Sequence, residues 1–220
     1  MKKIYVTTIV ILSLVLTVNS QDIKFGAKGG INFASASGDI KSTGSRTALH
    51  FGGMAEIPLS TEFYLQPELL FSSQGYKVAN GTGTLNYLNL PIIGKYYVNE
   101  ELSIEAGPQI GYLLSATIQV DNINTGGNTN TPTTGSSERA TNAKSSNANS
   151  SAVSNNAIEQ DISNFFNSTD ISFGIGAGYK LENGINISAR YNFGLSNISS
   201  DSSENVKNSL FMLSVGYFFF

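Results

Sequence analysis

The chain has 220 residues, of which 13% are charged, and its formal net charge is -3 at pH 7. The charged fraction is about half the average of soluble domains. The acidic balance gives no global attraction to nucleic acid, and no cluster of Lys and Arg supplies a local one. Because the sequence contains no cysteine, disulfides, thiolate metal sites and cysteine nucleophiles are excluded. We expect one domain, without cofactor or metal, stabilised by packing and hydrogen bonding.

The amino-terminal segment has the pattern of a secretory signal peptide. Lys2 and Lys3 precede a long apolar run, and small residues then suit cleavage before Gln21. The alternative, an uncleaved membrane anchor, would need an apolar run of about 20 residues, longer than the run present. We predict a signal peptide at residues 1–20 and a mature domain at residues 21–220. Loss of the two lysines would lower the formal charge from -3 to -5.

From residue 23 onward, apolar residues occupy every second position, which is the pattern of strands with one apolar and one polar face. In the first run, Ile23, Phe25 and Ala27 alternate with Lys24 and Gly26. The sequence therefore predicts an all-β protein whose antiparallel strands lie in eight such runs, at residues 23–33, 49–57, 63–72, 88–98, 102–114, 171–179, 185–195 and 211–219.

Three prolines fall inside these runs, at Pro67, Pro91 and Pro108. Each removes an amide donor from a β-ladder, so we expect β-bulges at these positions.

The spacing of the runs favours a membrane barrel. Residues 121–160 are rich in Asn, Ser, Thr and Gly and poor in large apolar side chains, so we predict a long mobile extracellular loop there. Connections after the first, third, fifth and seventh runs are long, and the other connections are short. Outer-membrane barrels combine long extracellular loops with short periplasmic turns. We therefore predict an eight-stranded antiparallel up-and-down transmembrane β-barrel in the outer membrane, with both termini in the periplasm.

The apolar face of the strands is expected to point outward, into lipid. A soluble barrel of the lipocalin type would have a charged outer wall, and the polar face here carries too few charges for one. Outward aromatic residues also recur eight positions apart, which corresponds to roughly 20 Å of membrane height after a strand tilt of about 40°. We predict that two aromatic girdles contain Phe25, Phe33, Phe63, Phe71, Tyr96, Tyr112, Tyr179, Phe211, Tyr217 and Phe219.

The opposite face of the strands carries scattered charges. An eight-stranded barrel is just wide enough for its side chains to fill, so these charges favour a polar plug over an open conduit. Buried charges are costly unless paired, and we expect the three cations to meet the three carboxylates. The predicted interior polar network consists of Lys28, Glu56, Glu68, Lys95, Glu105, Gln109 and Arg190.

Short motifs follow one another in a characteristic order along the mature chain. They are Phe25 to Phe33, Ala55 to Ser60, Leu65 to Leu70, Tyr87 to Pro91, Lys95 to Tyr97, Ala106 to Tyr112, Ala189 to Asn192 and Tyr217 to Phe220. As an ordered set, they resemble the PorT-type outer-membrane β-barrel family over most of the mature chain. The resemblance implies a small eight-stranded barrel that the barrel-assembly machinery inserts. This sequence departs from the family at Asn89, where an acidic residue often stands, and it has one aromatic beyond the familiar Tyr-x-Phe ending.

Three functions remain open from the sequence. The first is a non-enzymatic integral outer-membrane protein whose barrel anchors loops that contact the surroundings or a protein partner. The second is a narrow transporter or an accessory component of a secretion system, which the PorT resemblance suggests. The third is a lipid-modifying barrel enzyme that uses His50, the single histidine, although no nucleophile or orienting acid converges on it in the sequence. We favour the first, with outer-membrane lipid and lipopolysaccharide as surroundings and no nucleic acid partner.

Overall fold

The structure, a computed structural model, describes residues 23–39, 44–79, 81–120 and 158–219. In these residues nine antiparallel strands form one sheet, which closes because β4 pairs with β5 as well as with β3. The strands are β1 (Lys24–Gly38), β2 (Gly44–Pro58), β3 (Phe63–Val78), β4 (Gly81–Tyr97), β5 (Leu102–Val120), β6 (Ile158–Asp161), β7 (Thr169–Lys180), β8 (Ile185–Gly194) and β9 (Val206–Phe219).

Eight long strands make the wall of the barrel, each beside its neighbour in the chain, and β1 closes the ring against β9. The short strand β6 pairs with the last residues of β5, beyond the part of β5 that pairs with β7. The predicted fold class, an eight-stranded antiparallel up-and-down barrel, is confirmed. We call the end that carries Lys24 and Phe219 the terminus end, and the opposite end the loop end.

The register of the strands gives the barrel its tilt. Paired residues can be followed once round the wall, and the path returns to β2 ten residues from its start, from position 57 to position 47. For eight strands, a stagger of this size corresponds to a strand tilt of about 40°. The path runs through Ile57, Leu65, Gly94, Ala106, Ile175, Tyr191, Phe211, Phe33 and Thr47.

Over most of the wall, successive side chains alternate between the outward and inward faces. In β4, Leu88 and Leu90 point outward with 40% and 46% of their surface exposed, while Asn89 between them is 1% exposed and lies inside. The same alternation holds in β5 and β9. The barrel is therefore apolar outside and largely polar inside, the reverse of a soluble barrel.

The strands extend further toward the loop end than the sequence predicted. β1 and β2 are separated by residues 39–43, and β3 and β4 by residues 79–80, so the predicted long connections after the first and third runs are wrong. Most of the added strand residues are small or polar, and they show no apolar alternation. Tyr76, Leu85 and Tyr87 are exceptions, and their side chains are buried inside the barrel. The added residues pair because a β-ladder uses backbone groups, whatever the side chains are.

The prolines do not form bulges, and that prediction is also wrong. The register shifts lie between Ser45 and His50 and at Asn86/Tyr87. At Pro67, Pro91 and Pro108 the register is unchanged, but each proline lies in a two-residue interruption of one ladder, in β2–β3, β3–β4 and β4–β5 respectively. A missing amide donor therefore removes pairing locally without inserting a residue.

Two predicted segments fall largely outside the described residues. These are the signal peptide at residues 1–20 and most of the long loop at residues 121–160. The last part of that loop is described, and residues 158–160 belong to β6, which pairs with β5. β6 thus begins at Ile158, close to the loop boundary that was predicted at about residue 160.

Candidate functional site: the barrel interior and the loop end

The lower half of the interior, toward the terminus end, holds a cluster of buried charges centred on Glu68. Both oxygens of Glu68 accept hydrogen bonds from Arg190, at 3.1 Å from Nη1 and 2.9 Å from Nη2. Lys28 Nζ lies 3.1 Å from Glu68 Oε1, and Gln66 Nε2 donates to the same oxygen at 2.6 Å. Bidentate binding by a planar guanidinium is the strongest arrangement available to a buried carboxylate.

The cluster continues as a chain in which cations and carboxylates alternate. Arg190 Nη2 also donates to Glu105 Oε2 at 2.9 Å, and Lys95 Nζ lies 3.4 Å from Glu105 Oε1. Lys95 pairs with Glu56 at 3.2 Å, and Glu56 pairs with Lys180 at 2.6 Å. We call this series the ion chain; in order, its members are Lys28, Glu68, Arg190, Glu105, Lys95, Glu56 and Lys180.

The structure brings together six of the seven residues that the sequence placed in the interior network. The seventh, Gln109, is buried but stands apart from the ion chain, and its Oε1 has no partner among the described residues. It borders a cavity of about 10 Å³ with Asp170 and Asn192, room for about one water molecule. Gln109 is therefore not part of the charged cluster.

Lys180 and Tyr97 are members that the sequence reasoning missed. The Tyr97 hydroxyl donates to Glu56 Oε2 at 2.9 Å, and Lys180 closes the chain at the terminus end. Both lie at strand ends on the inward face, at even spacing from the inward residues before them. The predicted run 88–98 already places Tyr97 on the inward face, but Tyr97 was not assigned to the network. The run 171–179 ends one residue before Lys180.

The middle of the interior contains His50, held between two partners. Its Nδ1 is 2.7 Å from Asn32 Oδ1, and its Nε2 is 2.8 Å from Ser214 Oγ. Asn32 Nδ2 in turn donates to Ser72 Oγ at 3.0 Å and to the Ser73 carbonyl at 2.8 Å. The order serine, histidine, amide is one that hydrolases use.

Burial argues against catalysis at this position. His50 is 1% exposed, Asn32 0% and Ser214 4%, so no lipid or water-borne substrate reaches the serine oxygen. A nucleophile needs a reacting atom about 3 Å away and donors beyond it for the developing charge. The arrangement satisfies three buried polar side chains, which would otherwise destabilise the barrel.

The loop end of the interior is apolar. Phe166 and Ile198, from the segments before β7 and before β9, are inserted between inward side chains of the strands. Backbone hydrogen bonds join the two segments, from Asn167 N to Ile198 O at 2.8 Å and from Ser200 N to Phe165 O at 3.0 Å. We call this group the apolar plug; it consists of Ala36, Tyr76, Leu85, Tyr87, Leu113, Ala116, Phe166, Ile198 and Val206.

The residues of the predicted aromatic girdles point outward. Nine of the ten are exposed, and Phe71 is half-buried against its neighbours. Ring pairs occur near both ends of the wall: Phe63 and Tyr96 have centroids 4.8 Å apart at the terminus end, and Phe33 and Phe211 are 6.2 Å apart nearer the loop end. Rings missing from the predicted set include Phe51, Tyr191 and Phe193.

The described residues contain neither a metal-binding cluster nor a membrane-spanning helix. No group of three or more His, Asp or Glu side chains in them is placed to hold a metal ion. No helix within the described ranges is long and apolar enough to cross a membrane.

Comparison with known proteins places the chain in a family. The sequence profile of the outer membrane protein beta-barrel domain matches residues 19–200. The chain belongs to this family. It is thus an integral outer-membrane β-barrel protein, whose strands cross the membrane. None of the curated proteins compared with the chain matches it.

Solved structures of small outer-membrane barrels are similar to this chain, and one of them, at a TM-score of 0.50, shares its fold. Neisserial surface protein A (NspA) is 13% identical with a TM-score of 0.50, over 89% of this chain and 97% of that one. Ail, the attachment invasion locus protein of Yersinia pestis, is 13% identical with a TM-score of 0.49, over 90% and 100%. OprG from Pseudomonas aeruginosa is 13% identical with a TM-score of 0.42, over 90% and 96%.

Proposed function

We propose that this outer-membrane barrel is a non-enzymatic, non-conducting anchor, and that its loop end presents residues that contact the cell's surroundings or a protein partner. The observation that carries the proposal is the filling of the interior by two successive layers. The ion chain fills the lower half, and the apolar plug fills the loop end. An ion or solute would have to break buried ion pairs and then cross an apolar constriction.

The orientation of the barrel is part of the proposal. Residues 1–20 act as a signal peptide, both termini face the periplasm, and the loop end faces outward. Support comes from the lengths of the connections. Residues 59–62, 98–101 and 181–184 make short turns at the terminus end. The loop end has two short connections, at residues 39–43 and 79–80, but residues 121–157 and 195–205 there are longer than any connection at the terminus end. Lipopolysaccharide and lipid would surround the outward apolar face, and the barrel-assembly machinery would insert the chain.

The other two functions have less support. An accessory role in secretion rests on the PorT-type resemblance alone. A lipid-modifying activity would need access to His50, which is 1% exposed and already bound on both ring nitrogens.

Conductance in planar bilayers tests the anchor role. The purified barrel should give no current steps at any ion tested, whereas an outer-membrane porin in the same bilayers should conduct. A matched variant, Phe166→Gly with Ile198→Gly, removes two apolar side chains from the plug and leaves the ion chain intact. Steady channels from the unmodified protein would refute the proposal and favour the transporter.

A further inference from the structure

The outer face of the apolar plug is the floor of a depression of about 400 Å³ at the loop end. Tyr76 and Phe166 lie at the bottom, and Ile162 lines one side. Phe165 stands at the rim with 66% of its surface exposed. Concave, contiguous apolar surface of this kind marks a binding site more often than flat surface does.

Two acidic residues also line the depression. Asp201 and Glu204 are both exposed there, and neither forms an ion pair within the described part of the chain. Asp201 Oδ1 accepts hydrogen bonds from the Ser203 backbone amide at 2.9 Å and from the Ser203 hydroxyl at 2.7 Å. These hydrogen bonds lower the pKa of Asp201, so the carboxylate is charged at neutral pH. None of the described residues that line the depression is basic.

Tyr76 supplies a polar group at the bottom of the depression. The residue is only 6% exposed, and its hydroxyl has no hydrogen-bond partner among the residues described. Tyr76 is one of the residues that line the depression. Gly83 opposite makes room for the ring, because a Cβ built there would lie 2.9 Å from Tyr76 Cζ. An unpaired hydroxyl on a nearly buried ring is suited to meet a ligand.

We propose that this depression binds a basic side chain of a partner polypeptide, a lysine or arginine flanked by apolar residues. The cationic head would lie between Asp201 and Glu204, close to the Phe165 ring, where ion pairing and the cation–π attraction act together. The methylene stem would pack on Phe166 and Ile162. The two unpaired carboxylates would repel an anionic ligand. This inference rests on the proposed function, because the partner must reach the loop end.

A single tryptophan gives a direct reading of binding. The chain has no tryptophan, so Phe165→Trp introduces one indole at the rim of the depression. The full mature chain in detergent micelles would be titrated with a blocked Leu-Lys-Leu peptide and with the same peptide acetylated on its lysine. We expect a saturable change in emission with the first peptide, weakened by added salt, and at least tenfold weaker binding of the acetylated one. Calorimetry on the unsubstituted chain repeats the comparison without the reporter.

Neutral variants test the two acidic residues. Asp201→Asn with Glu204→Gln, which keeps both side-chain shapes, should weaken the lysine peptide at least tenfold, whereas Glu182→Gln at the terminus end should leave its affinity unchanged. The proposal would be overturned if the double variant bound the lysine peptide as tightly as the unsubstituted chain does. It would also be overturned if the acetylated peptide bound as tightly as the unmodified one. The proposal would also be overturned if iodide failed to quench the emission of the introduced indole before peptide is added, because residues 121–157 would then cover the depression. Channel recording and surface proteolysis decide the anchor role separately, because peptide in micelles reaches both ends of the barrel.

Discussion

Lys28 has a single ion-pair partner in the described structure, Glu68, at 3.1 Å, whereas every carboxylate of the ion chain is held by two cations. Loss of one internal cation therefore leaves each carboxylate with a remaining partner. Loss of Glu68 leaves Lys28 buried and unpaired, while Arg190 keeps Glu105. Removal of Glu68 therefore leaves a buried cation without an ion-pair partner, whereas removal of Glu105 does not.

We expect Glu68→Gln to destabilise the barrel far more than Glu105→Gln. The first change strands a buried lysine, at a cost of about 3–5 kcal/mol. The second leaves Arg190 on Glu68 and Lys95 on Glu56, and it costs about 1–2 kcal/mol in weakened hydrogen bonds. Urea unfolding in detergent, followed by the gel mobility of folded and unfolded forms, measures both. Equal midpoints would mean that the charges do not interact as the distances indicate.

Arg190→Ala should also lower the urea midpoint, because two carboxylates lose a charge-assisted donor. Arg190→Lys should restore only part of the loss, since an ammonium cannot bind both Glu68 oxygens and Glu105 in one plane. Lys207→Ala, at an exposed position of β9, is the control and should change little. An unchanged midpoint for Arg190→Ala would show that the ion chain does not stabilise the barrel.

His50 is predicted to be structural. His50→Ala removes the partners of Asn32 and Ser214 and leaves a cavity, so we expect a loss of about 2–4 kcal/mol of stability. The purified protein should release no fatty acid from phospholipid vesicles, before or after the change. Hydrolysis that disappears in both His50→Ala and Ser214→Ala, with folding intact, would instead support the enzyme hypothesis.

A pair of glycine substitutions tests how the Tyr76 ring is seated. Gly83→Ala forces the new methyl group against that ring and should cost about 1–3 kcal/mol. Gly53→Ala is the matched control, because the nearest atom to its built Cβ is the Gly26 carbonyl oxygen at 3.9 Å. That change should be neutral or slightly stabilising. Equal urea midpoints for the two variants would show that the fit of the Tyr76 ring against residue 83 does not affect stability.

Residues 121–157 should be dispensable for folding. Closing a flexible loop costs about (3/2)RT ln n, so replacing the segment by a few Gly and Ser residues should change stability by only about 1–2 kcal/mol. Protease added to intact cells should cut the segment if the loop end faces outward. Failure of the shortened chain to form a heat-resistant barrel, or protection of the segment on cells, would contradict the anchor proposal.

The sequence was most informative where the strand period of two is strong. That period predicts that Lys28, Glu68 and Glu105 point inward while their neighbours in the chain point outward. The small diameter of the barrel then brings the inward side chains into contact. It was silent at Phe166 and Ile198, which enter the barrel from irregular segments with no repeating pattern. It was also silent for the strand ends near the loop end, where small and polar residues predominate and no apolar period of two is present.

The three prolines have a collective effect on the wall. Their interruptions adjoin one another, at positions 66–67 and 68–69 of β3 and at 90–91 and 92–93 of β4, so missing main-chain bonds follow one diagonal seam from β2 to β5. When the barrel opens locally, amide protons beside this seam should exchange with solvent earlier than those in the uninterrupted parts of the same ladders. Lys95 spans the seam from inside, binding Glu56 on β2 and Glu105 on β5. Side-chain ion pairs thus connect the strands where backbone pairing between them is interrupted.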